Sequence, residues 1–219
     1  MVCIAAIGRT CWCIPVPHWG TEIQGLRAAA DLGSQRASGS VRIATVRARA
    51  WHTTDTARAA VALDPSYTPA RVALASVLLD QAEVHQARTI LENVSDLDHV
   101  PGGYTLLARS RLLTGDFEGA ISAAAKERAS MLSTLEPHIL PDMTAIRDAR
   151  EIAGQAYLAK QKYTRAAELL LDAAVRGSNT ARLAIVRANP PFRVALTQLL
   201  NSPNLPRQSR AFLRDLLRR

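Results

Sequence analysis

No cysteine lies beyond position 13 of this 219-residue chain; Cys3, Cys11 and Cys13 are the only three. An odd number confined to one end excludes a disulfide framework and points to a reducing compartment. Cys11-x-Cys13-x4-His18 offers three ligands where structural zinc takes four, so no metal is expected. Aromatic residues make up 5% of the chain, which suits thin helices packed around small side chains rather than a core built on large rings. Lysine is nearly absent, with 24 of the 27 basic residues being arginine.

Long apolar runs are missing too. Residues 1–7 are apolar, but Arg9 and Thr10 follow, so the stretch is too short to cross a bilayer. No basic residue precedes it, as a secretory signal requires. The expected location is therefore cytoplasmic or another reducing compartment, and a membrane partner is not expected. The Arg-rich, acid-poor first 50 residues share the flavour of an organellar presequence, which leaves a mitochondrial location open.

Catalytic signatures are lacking as well. His18, His52, His85, His99 and His138 are scattered, with no pair at metal-binding helical spacing. There is no P-loop, no G-x-S-x-G and no dinucleotide fingerprint after a strand. Gly102-Gly103, following Pro101, reads as the start of a helical unit. Neither an enzyme nor a cofactor is expected.

What the chain does contain is a hydrophobic fraction of 48%, dominated by Ala and Leu, and a skeleton that recurs. Arg71-x2-Leu74-Ala75-x2-Leu78, Tyr104-x2-Leu107-Ala108-x2-Arg111 and Arg150-x2-Ala153-Gly154-x2-Tyr157 place a small residue at the same point. Each is followed 12 residues later by alanine: Ala87, Ala120 and Ala166. Such a period predicts stacked helical units. Three clear units run over 68–94, 103–127 and 145–174, preceded by a degenerate one at 37–65. Gly154 is expected where two helices approach closely. The interval from Ala108 to Gly154 implies about 13 extra residues relative to the first interval, around Met131 to Pro141. Pro137 and Pro141 forbid an unbroken helix there, so a longer return helix and a loop are expected.

At the N-terminal end, Pro15, Pro17 and Gly20 leave residues 1–20 irregular, and Thr21-x-x-Gln24 reads as a capping box. Helices are expected from Val41 to Trp51 and, capped by Thr53 or Thr54, up to Leu63 before Asp64-Pro65. Beyond the repeats, a short helix from Asn179 or Thr180 to Arg187 is expected to stop at Pro190-Pro191. One from about Phe192 to Leu200 and a last one opened by Asn204-Leu205-Pro206 follow. The chain is thus read as an irregular segment 1–20, a repeat domain 21–175 and a basic extension 176–219.

These residues resemble the tetratricopeptide repeat (TPR) family over about 37–175. "Ala-Leu-Asp-Pro" at 62–65 is the common handover between its helical hairpins. The resemblance implies an all-α, right-handed α-solenoid of three to four stacked antiparallel helix pairs, with a concave groove lined by the forward helices. The expected function is a non-enzymatic adaptor, scaffold or assembly subunit holding a protein partner, as a peptide or a helix, in that groove. Groove-facing candidates are Val72, Ser76 and Leu79; Thr105, Arg109 and Leu112; Glu151, Gln155 and Leu158. The same leucines would also suit packing of the next unit. Apolar, small and acidic residues dominate these slots, which disfavours a clamp for an acidic chaperone tail.

Charge divides unevenly. Residues 176–219 hold nine arginines and one acid, Asp215, whereas residues 51–175 carry a net −4. In the last helix Arg207, Arg210, Arg214 and Arg218 share one face, with Phe212, Leu213 and Leu216 opposite. The sequence leaves three roles open for it: a capping helix for the solenoid end, docking onto an acidic protein or RNA backbone, or a membrane-surface helix. A basic, RNA-associated subunit of a ribonucleoprotein is the alternative to the groove reading.

Overall fold

The structure, a computed structural model, describes residues 40–133 and 143–218. The three cysteines, His18, the Thr21–Gln24 capping box and most of the expected insertion, with Pro137 and Pro141, lie outside these residues. All regular structure among the described residues is helical: eleven α-helices and one turn of 3-10 helix. None is long and apolar enough to cross a membrane. The chain divides into two compact units, up to Val77 and from Leu78 onward.

The first unit contains α1 (Val41–Trp51), α2 (Thr54–Leu63) and most of α3 (Thr68–Asp80). Helix α1 packs on α2 through small residues, with Thr45, Ala48, Ala57 and Ala60 buried. Thr53 is the cap of α2, its hydroxyl accepting the Thr56 N–H at 3.4 Å. Asp64 closes the helix by accepting the Ser66 N–H at 2.9 Å and the Ser66 hydroxyl at 2.7 Å. Those two bonds hold the Asp64 carboxyl below its ordinary pKa.

The second unit contains α4 (Val84–Glu92), the 3-10 turn Leu97–His99, α5 (Gly103–Leu113), α6 (Phe117–Ser133), α7 (Met143–Ala159), α8 (Tyr163–Val175), α9 (Asn179–Val186), α10 (Pro190–Asn201) and α11 (Arg207–Arg218). Each helix from α4 to α8 packs on its successor, and α5 also packs on α7. The small residues of the repeat, Ala75, Ala87, Ala108, Ala120, Gly154 and Ala166, are all buried. A Cβ on Gly154 would stand 2.7 Å from the Leu170 Cγ and 3.2 Å from the Leu170 backbone nitrogen. The glycine is what lets α7 and α8 approach.

The repetition extends to the backbone of the turns. Seven residues after each small residue, Ala82, Gly115 and Gln161 take left-handed φ values of 63°, 81° and 58°. In each turn the next N–H reaches back over a full helical turn: Glu83 to Leu78 O, Asp116 to Arg111 O and Lys162 to Tyr157 O, at 2.8–2.9 Å. The left-handed residue itself donates to Leu79 O, Leu112 O and Leu158 O. This is the Schellman arrangement, which satisfies the otherwise orphaned carbonyls at a helix end. Gly177 repeats it at the end of α8, with φ at 100° and the Ser178 N–H on Ala173 O.

Two polar devices fasten α4, α5 and α6. Arg88 bridges Glu92 at 3.0 Å and Asp116 at 3.2 Å, while Arg111 reaches Glu92 at 3.1 Å. Partial burial raises the Glu92 pKa, but hydrogen bonds from Arg111 and Arg88 outweigh it, and the carboxyl lies below its ordinary value. The second device is Glu127, only 2% exposed. Its carboxylate accepts the Gly102 N–H at 2.8 Å and the Thr105 N–H at 3.0 Å, capping α5 from α6. A helix N-terminus stabilises such a carboxylate both by its free N–H groups and by its dipole.

The C-terminal helices share a core with α8. Leu170 and Ala174 meet Ala181, Ile185, Phe192, Leu196, Leu213 and Leu216 in one cluster. The helix expected to stop before Pro190-Pro191 does so, at Val186. Helix α10 opens on the prolines themselves, two residues ahead of its expected start at Phe192, and Asn189 caps it by accepting the Phe192 N–H at 3.0 Å. Proline lacks an N–H, and the first turn needs none.

Candidate functional site

A cleft of 640 Å³ lies in the second unit, walled by α5, α7 and the turn that opens α9. Helix α5 supplies Thr105, Leu106, Arg109, Leu112 and Leu113. Helix α7 supplies Arg147, Asp148, Glu151, Ile152 and Gln155, a stripe at helical spacing. The third wall is Gly177 to Thr180.

The α7 wall is held by one carboxylate. Glu151 accepts the Gln155 side-chain N–H at 3.1 Å through Oε1 and the Ser178 hydroxyl through Oε2. Ser178 in turn accepts the Ala181 N–H at 3.0 Å, capping α9. One chain of contacts therefore fixes α7 to the start of α9 and sets the width of the cleft there. On the facing wall, Arg109 lies 3.5 Å from Asp80. Arg147 and Asp148 pair at 2.8 Å. Every charged side chain lining the cleft thus has an internal partner.

Two features of the lining are open. Among the described residues the Thr105 hydroxyl meets no hydrogen-bond partner, although the residue is only 9% exposed. Leu113 is 56% exposed, a large apolar side chain held toward water at the cleft edge. A buried hydroxyl without a partner loses free energy that an incoming donor or acceptor can restore.

Five of the nine residues expected to face a groove come together here: Thr105, Arg109, Leu112, Glu151 and Gln155. Leu79 is buried and Leu158 packs against the C-terminal core, so neither lines the cleft. Val72, buried, and Ser76, half-buried, belong to the first unit. Sequence reasoning missed Arg147 and Asp148, one turn before Glu151 on the same stripe. It also missed Leu106, Leu113 and Ile152, and the Gly177–Thr180 wall as part of a cleft.

A second hollow of 340 Å³ lies along α6, α7 and α8, floored by Ile121, Ala124, Ile146, Ala149 and Ala153. Among the described residues, no three His, Cys, Asp or Glu side chains converge as a metal site would require.

The arginines of α11 separate in the structure. Arg207, Arg214 and Arg218 are exposed. Arg210 is half-buried and donates to Ser202 O at 2.7 Å, so it serves the fold. Leu213 and Leu216 are buried against the preceding helices. No family model matches this chain, and comparison with curated proteins gives no match.

Proposed function

We propose that this chain is a TPR-like interaction scaffold, a solenoid of helix pairs that holds a peptide or partner helix in the cleft between α5, α7 and the start of α9. The observation that carries the reading is the convergence on one cleft of five residues from equivalent positions of two repeat units. The repeated turn geometry and the buried small residues support the repeat architecture behind it. Two of the cleft walls are helices, which hold a recognition surface more firmly than loops do.

The lining favours binding over catalysis. A general acid or base must be free to reach a substrate proton, and here Arg109, Arg147, Asp148 and Glu151 are each engaged internally. The mixed apolar and polar wall suits a peptide that places an apolar side chain on Leu112 and Leu113 and a polar group near Thr105. The test is affinity capture from the source cells with wild-type, Arg109→Ala and Gln155→Ala chains, identifying proteins by mass spectrometry. The reading expects one partner set that both variants lose while their melting curves stay unchanged. Retention of the same partners by both variants would contradict it.

A further inference from the structure

We infer that the exposed arginines of α9 to α11 form a docking surface for the sugar-phosphate backbone of a nucleic-acid duplex, bound without choice of base sequence. The starting observation is a contrast in how cations are answered. In residues 78–175, seven of the ten cations, Arg88, Arg109, Arg111, Arg147, Arg150, Lys160 and Arg165, form ion pairs with carboxylates. In residues 176–219, Arg187, Arg207, Arg214 and Arg218 are exposed and pair with no carboxylate among the described residues. The only acid of that region is Asp215. Arg193 adds a charge to the same end, because its guanidinium holds the Leu217 carbonyl at 2.7 Å, next to Arg218.

Geometry narrows what such a surface can hold. Arg207, Arg214 and Arg218 are 7 and 4 residues apart, which puts them on one helical face. At 1.5 Å per residue the row spans roughly 16 Å, the length of about five phosphates on one strand of a duplex. The helix is held in place by the burial of Leu213 and Leu216, which sets the spacing of the row along it. The same burial removes the apolar face that a membrane-surface helix must insert. Single-strand binding needs exposed rings on which bases stack. Here Phe192 is buried, and Phe212 is half-buried with the Arg182 guanidinium 5.3 Å from its ring centre. An acidic protein partner would be expected to find an aromatic anchor at the centre of its interface. Among the described residues from 175 on, the exposed large apolar side chains are Val175, Leu183 and Val194, and none is aromatic. Planar guanidinium groups also match phosphate oxygens two at a time.

The test uses the full chain and fluorescence anisotropy with labelled mixed-sequence RNA and DNA duplexes, titrated at several salt concentrations. Poly-glutamate and phosphatidylserine vesicles serve as other polyanions. The expected result is salt-dependent binding of either duplex, competed equally by unlabelled duplexes of different sequence. In Arg207→Gln/Arg214→Gln/Arg218→Gln the slope of log K against log salt should become shallower by about 3, one unit per lost phosphate contact. An unchanged thermal melt verifies that the variant is folded. Arg210→Gln, at the inward-turned position, should leave the slope unchanged in a chain that still folds. The inference is overturned if the triple variant binds duplex like the wild type, or if poly-glutamate or the vesicles bind as tightly as the duplex.

Discussion

Gly154 and Glu127 show how differently single residues declare themselves. Gly154 was legible: a glycine at the small position of a repeat marks a close helix crossing, and Leu170 is the residue it admits. Gly154→Ala must push Leu170, itself fully buried, out of place. A loss of about 2 kcal/mol in urea unfolding is expected. Glu127 was not legible, because nothing local marks an acid on one helix as the cap of another 22 residues away. Glu127→Gln keeps the shape but leaves one of the two N–H groups facing an amide nitrogen and removes the charge. It should cost about 2 kcal/mol, the scale of a charge-assisted hydrogen bond, measured by the same unfolding. Thr105 is the third case. Its hydroxyl was expected at a groove position, but only the structure finds it buried and unpaired.

At the level of elements, helix starts and stops followed from apolar spacing and from Gly, Pro, Ser and Asp. Helix α1 was expected over the same residues it occupies, and α3 begins where the first clear unit was expected to begin. The helix before Pro190 and Pro191 stops as expected, but α10 starts two residues early, because proline also opens a helix and Asn189 caps it there. The turns carry a prediction of their own. Ala82 and Gln161 hold a left-handed backbone that Gly115 adopts at the same point without a Cβ penalty. Ala82→Gly and Gln161→Gly should each raise stability by about 1 kcal/mol, and Gly115→Ala should lower it by a similar amount. Thermal melts of the three variants check the signs, which follow from the turn geometry alone.

For the chain as a whole, the sequence showed where charge accumulates but not which charges are used internally. Arg88 and Arg111 look like surface arginines, yet both hold Glu92. Arg210 sits in a row of exposed arginines, yet turns inward to Ser202. The all-α class was legible from composition and period, since both describe local structure. The width of the cleft was not, because it depends on Ser178 meeting Glu151 across two elements. Acid stability follows from the same contacts. Glu92 and Asp64 have folded-state pKa values below their ordinary 4.5 and 3.8. Their contribution is complete above those ordinary values and is lost as pH falls through the lowered ones. Unfolding free energy should therefore decline below about pH 4.5, and Glu92→Gln should flatten that decline in urea titrations at stepped pH.

The central claim is that the α5–α7–α9 cleft holds a partner segment. Its most direct test is a photo-crosslinking residue placed at Thr180, exposed and lining the cleft, and separately at Lys162, exposed and outside it. Adducts formed in the source cells would be mapped by mass spectrometry. A partner peptide joined at position 180, absent at 162 and lost with Thr105→Val is the predicted result. The same adducts from both positions, or none from 180 in a folded chain, would contradict the account.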